Sequence, residues 1–134
     1  MPDEESSSDW LGQYVLNDQG EPMPERDLLT WARWMETAAR VVERSYIADL
    51  WISTVFLGLD HGLPLMQELL DNPLGYRPIL WETMVFRGHE PIDMERYRSR
   101  QEAVAGHERM VEKYLRETTE SAAANLRALF REPH

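Results

Sequence analysis

Asp60 and His61 close the apolar run Ile52 to Leu59, and their types suggest chemistry. A carboxylate can orient an imidazole, which then titrates near neutral pH and can move protons or bind metal. Metal sites gather about three or four ligands, whereas the four histidines fall at 61, 89, 107 and 134 with no clustered spacing. No metal or other cofactor is expected. The adopted reading makes Asp60 and His61 the structured end of a core strand at the rim of a pocket, with a catalytic pair as the competing reading.

Glu82 interrupts the otherwise mostly apolar segment ILWETMVF. A buried carboxylate needs a donor. Arg44 or Arg96 on a neighbouring strand would supply one and fix register; as a functional residue Glu82 would accept hydrogen bonds from a ligand. Arg96, Arg98 and Arg100 alternate along a stretch expected to be extended, so they are expected to share one face just before a helix start, an anion-binding combination. Phe86, His89 and Tyr97 would furnish a stacking surface beside them. Lys113 and Arg116 either extend the positive strip along the helix or form its solvated face.

The elements that must position these residues follow from periodicity. Residues 1–9 carry no apolar pattern and read as a mobile acidic tail. Trp10 to Leu16 reads as a short extended segment and Asn17 to Gly20 as a turn. Pro24 or Glu25 is expected to begin a helix that Asp27 caps, and Leu28, Trp31, Ala32, Met35 and Ala39 form its apolar face. Period two follows in VVERSYI, Ala48-Asp49 is short enough for a hairpin, and LWISTVFLGL reads as a strand covered on both faces. Gly62 to Pro78 reads as a long excursion with one or two helical turns. ILWETMVF is a second strong strand, RGHEPID a turn, and MERY a short edge strand.

Ser99 and Glu102 form a capping box opening a helix over about 99–131. Val104, His107, Val111, Tyr114 or Leu115, Thr118, Ala122, Leu126 and Leu129 mark its expected buried stripe. Gly106 costs ~1 kcal/mol against Ala there, so a close packing partner or a bend is expected. About thirty helical residues span ~45 Å, more than so small a domain covers, and part of the stripe is expected to meet another subunit. The fold class is therefore α+β, an antiparallel sheet of about four strands with an N-terminal helix packed on it and a long C-terminal helix, in one domain over 10–134.

The chain has 134 residues, no Cys and a formal net charge of −10. The charge argues against DNA binding, which needs a basic surface to neutralise phosphates. Residues 1–37 hold nine acids against two Arg, but 87–116 hold seven basic residues against six acids, so that part could still hold a small anion. Thirteen of the fourteen basic residues are Arg, either codon bias or a choice of planar bidentate donors. No apolar run is long enough to span a bilayer and no secretory signal is visible, so a cytoplasmic protein without membrane contact is expected. No nucleophile elbow, phosphate-binding loop, dinucleotide fingerprint or zinc-protease motif is present.

STVFLGLDH, WETMVF, ERYRSRQEA and AGHERMV, read in order with DLLTWARWMET upstream, resemble a family of small phage and prophage proteins over roughly residues 14 to 114. That family has a similar strand ending in LDH, a FETMVF segment, an RYST-type stretch and an EAxxGH helix start. More distantly, the strand-hairpin core with its long helix looks like the Thoeris anti-defence sponges, oligomers that sequester nucleotide-derived immune signals. The resemblance implies a non-catalytic phage accessory protein in the bacterial cytosol, with Phe86 as an aromatic base contact and Arg96, Arg98, Lys113 and Arg116 as phosphate contacts. This chain departs from the pattern in the long MQELL-bearing loop after His61 and in Trp81 where Phe is usual.

The expected ligand-binding set is thus Asp60, His61, Glu82, Phe86, Arg96, Arg98, Lys113 and Arg116, serving capture of a small phosphorylated nucleotide by a homo-oligomer. Two alternatives stay open: an acidic inhibitor of a host enzyme, and a small hydrolase using His61 with Asp60 or Glu82.

Overall fold

The computed structural model describes residues 12–62 and 76–130. Its frame is a four-stranded antiparallel sheet in the order β3-β4-β5-β6, formed by Val41–Ile47, Leu50–Phe56, Trp81–Arg87 and Glu90–Tyr97. Two tight hairpins set its register. Ala48, at φ 54°, and Asp49 turn β3 into β4 with Ile47 opposite Leu50, and Gly88 and His89 turn β5 into β6 with Arg87 opposite Glu90. A smaller pair, β1 (Tyr14–Leu16) and β2 (Pro22–Pro24), flanks the turn at Asn17 to Gly20, where Asn17 Oδ1 accepts from the Gln19 and Glu21 amides.

Helix α1 spans Leu28–Thr37 and helix α2 spans Arg100–Leu129. Asp27 caps α1 by accepting from the Leu29 amide, and Ser99 caps α2 by accepting from the Glu102 amide at 3.0 Å while Glu102 reaches back to the Arg98 amide. These satisfy donors that a helix start otherwise leaves unpaired.

Alternation places Ile52, Thr54, Phe56, Trp81, Thr83, Val85 and Tyr97 on one sheet face, and α2 lies across it. The core forms there in two clusters. Leu50, Ile52 and Val85 meet Met110 and Tyr114 toward the hairpin tips, while Phe56, Leu80, Trp81 and Tyr97 meet Ala103 at the other end.

Several expectations are corrected. The segment read as a turn plus a short edge strand is an eight-residue strand from Glu90, because the turn needs only Gly88 and His89, and Pro91 is tolerated at an edge bulge where no ladder donor is required. Pro24 ends β2 rather than opening the helix. Helix α1 lies beside β1 and meets the sheet only at its end, with Trp34 edge-on to Phe56 at 5.9 Å and Trp31 donating to the Gly58 carbonyl at 3.0 Å. Gly58, at φ +79°, permits that approach, since a Cβ there would collide with Met35. Among the described residues α2 packs on one face of β4 and no element packs on the other. The buried stripe of α2 is Ala103, Gly106, His107, Met110 and Tyr114, and Leu115, Leu126 and Leu129 are exposed. The acidic tail, most of the excursion after Gly62 and residue 131 of the expected helix lie outside the described residues.

Candidate functional site

The expected site residues fall into three separate places. Asp60 and His61 follow the end of β4, and their side chains do not meet. Buried Asp60 accepts from the Gly62 amide at 2.8 Å, the Ile79 amide at 2.9 Å and the Tyr76 hydroxyl at 2.5 Å, while exposed His61 turns its Nδ1 to the Leu59 carbonyl. The carboxylate clamps two backbone amides and the Tyr76 hydroxyl, and the His61 ring is turned to the Leu59 carbonyl instead. The hydrolase reading loses its Asp60–His61 pair on this geometry.

Glu82, Phe86 and Arg96 share the sheet face opposite α2. Arg96 Nε lies 3.0 Å from Glu82 Oε2 on the opposite residue of β6, the register-fixing pair expected from sequence. Arg98 and Arg100 do not share that face, contrary to the expectation for an extended run. The strand ends at Tyr97, Arg98 turns to the Arg77 carbonyl and stacks over Tyr76, and Arg100 opens α2. Lys113 and Arg116 belong to α2, on the other side of the sheet. Lys113 Nζ pairs with Asp93 at 3.0 Å, and Arg116 lines a shallow outer depression with Glu112, Leu115, Thr119 and Glu120.

Sequence reasoning missed the arrangement around Phe86. Register sets Tyr46, Trp51 and Phe86 side by side on β3, β4 and β5, all pointing away from α2. Trp51 and Phe86 stack with centroids 4.4 Å apart and planes inclined by 18°, and Trp51 Nε1 donates to the Gly88 carbonyl at 3.1 Å. Tyr46 is 72% exposed and extends the row to the sheet edge. The spacing was visible, since Tyr46 and Trp51 flank a two-residue hairpin symmetrically and so must lie opposite each other.

A second constellation lies beneath α2. His107, fully buried, has Nδ1 2.7 Å from Thr54 Oγ1 and Nε2 2.9 Å from Ser45 Oγ; Thr54 contacts Thr83 at 2.5 Å, and the Tyr97 hydroxyl donates to Thr83 at 2.9 Å. Each hydroxyl has one proton. Tyr97 donates to Thr83, and the directions beyond it follow the imidazole tautomer: a hydrogen on Nε2 makes Thr54 the donor to Nδ1, and a hydrogen on Nδ1 makes Thr54 the acceptor and leaves Nε2 to accept from Ser45. Only the tautomer with its hydrogen on Nδ1 gives Nε2 the lone pair that a general base for Ser45 needs. Burial pushes His107 below the usual histidine range, against the opposing pull of Glu43 and Glu108, and burial raises Tyr97 to about 12. The cleft above, about 270 Å³, is rimmed by Glu43, Glu108 and Glu112. No group of histidine and carboxylate side chains able to hold a metal ion occurs among the described residues, and no helix there is long and apolar enough to cross a membrane.

The sheet face with its aromatic row therefore offers planar contact and cations, and the His107 cluster offers a fixed internal network. Comparison with family models, with curated proteins and with solved structures returned no match for this chain.

Proposed function

We propose that this chain is a non-catalytic binding protein that captures and sequesters a small nucleotide-derived signal, acting as a phage-type accessory protein in the host cytosol. The observation that carries this reading is the row Tyr46, Trp51 and Phe86 on a sheet face that no described element covers. Base stacking on aromatic side chains is worth about 1–3 kcal/mol per base and tolerates any base, because every base has a π face. The net charge of −10 favours a small ligand over a polyanion, whose binding needs an extended basic surface.

Of the other expected contacts, Lys113 and Arg116 stand on α2, so they would join Phe86 in one pocket only if a second copy brought them there. That fits a homo-oligomer assembled through the overhanging part of α2.

The test is incubation of purified protein with cyclic nucleotides and cyclic ADP-ribose isomers, followed by heat denaturation and mass spectrometry of what is released. Near-stoichiometric recovery of one intact compound, lost in Phe86→Ala and Trp51→Ala, is expected. A converted product, or no retention, overturns the reading.

A further inference from the structure

Beside the aromatic row, the next row of the same face holds Arg44 on β3, Ser53 on β4 and Met84 on β5. Arg44 forms no ion pair or side-chain hydrogen bond among the described residues. The other guanidinium groups near the face are engaged: Arg96 by Glu82 at 3.0 Å, and Arg87, which points to the α2 side, by Asp49 at 3.2 Å. Directly opposite Arg44, Ser53 is 6% exposed, and its hydroxyl has no hydrogen-bond partner among the described residues. A buried hydroxyl without a partner is uncommon and calls for an explanation.

Resting on the nucleotide-binding reading, we propose that Arg44 and Ser53 form the anion contact of that site, so that the face takes a planar ring carrying a phosphate in preference to the bare nucleoside. Arg44 and Trp51 are diagonal neighbours across the strand pair, ~7–8 Å apart, a span that a ribose bridges between a stacked base and its phosphate. Guanidinium supplies planar paired donors to phosphate oxygens, and the Ser53 hydroxyl supplies a third from below. Arg96 is a poorer candidate: Glu82 opposite it is four residues from Phe86, about 13 Å along the strand, and already offsets its charge.

Calorimetric titration with 5′-AMP and with adenosine tests this on the full chain. The wild type is expected to bind AMP at least about tenfold more tightly than adenosine, the scale of one charge-assisted contact. Arg44→Ala removes that preference while leaving adenosine affinity unchanged; Ser53→Ala reduces it, and Arg96→Ala leaves it. Equal binding of AMP and adenosine by the wild type, or a preference that survives Arg44→Ala, overturns the anion contact and leaves the stacking site standing. Failure to bind either compound, with a self-associated species that Phe86→Glu dissociates, assigns the face to a second copy and overturns both. Arg44 is exposed, so circular dichroism of its variant should match the wild type.

Discussion

The Tyr97 ring occupies the space that a side chain at Gly106 would need. A Cβ built at Gly106 would overlap Cε1, Cζ and the hydroxyl oxygen of Tyr97, and that hydroxyl is held by Thr83 at 2.9 Å. The helix can therefore lie on the sheet at this height only because residue 106 has no side chain. Sequence alone had flagged it, since a glycine inside a helix is a local cost that needs a packing reason.

Gly106→Ala should destabilise the protein although Ala is the better helix former. Propensity favours Ala by up to about 1 kcal/mol, but overpacking typically costs about 1–3 kcal/mol, and here the ring cannot swing away without breaking its hydrogen bond. Urea denaturation should show a lowered midpoint with an unchanged slope. A midpoint equal to or above wild type would mean that α2 is not seated as described.

Asp60→Ala should cost about 1–3 kcal/mol, because the Gly62 and Ile79 amides and the Tyr76 hydroxyl would lose their common acceptor. His61→Ala should stay within about 0.5 kcal/mol, as expected for an exposed side chain outside the core. Denaturation of the two variants in parallel separates a structural clamp from a paired site; comparable losses in both would contradict the separation of the side chains.

Much of the fold was legible because the signals were local. The Ala48-Asp49 hairpin, the Ser99–Glu102 cap and the Glu82–Arg96 pairing all follow from spacing along one or two strands. The misreadings arose where a tertiary fact decides. Period two says that Trp51 and Ile52 face opposite ways, but not that α2 covers only the Ile52 side, and Arg98 leaves the face of Arg96 because the strand stops at Tyr97. His107 was legible as a stripe residue but not as the hub of a hydroxyl chain, since Ser45, Thr54 and Thr83 come from three different strands.

That chain makes stability depend on pH with a definite sign. Folding holds His107 below its ordinary value through burial, so between the folded value and the unfolded value near ~6.5 the unfolded chain binds more protons. The stabilisation is fully present above about pH 6.5 and is lost as pH falls. Asp93, lowered first by its hydrogen bond from Tyr114, adds a loss only in the carboxylate range near and below ~4. Urea midpoints should therefore decline between pH 7 and 5 in the wild type. His107→Gln should be less stable at pH 7 and flatter across that window; an undiminished slope in the variant would assign the dependence elsewhere.

The last turns of α2 rest on nothing described, and their apolar residues are ordered. Leu115, Ala122, Leu126 and Leu129 recur at steps of seven, four and three, with Thr119 at the intervening position, the spacing that a helix would use to pack against another helix. Leu126 is 55% and Leu129 77% exposed, and the inward stripe of the same helix ends near Tyr114. Two periodicities on one helix, offset by one residue between Tyr114 and Leu115, are what a helix needs if its first half serves the sheet and its second half a copy of itself. Leu126→Lys with Leu129→Lys should accordingly leave the unfolding free energy of the monomer fold within about 0.5 kcal/mol of wild type while shifting sedimentation to the monomer mass. An assembly that persists in the double variant would place the subunit contact elsewhere, and a collapse of the fold would show that these turns support the sheet after all.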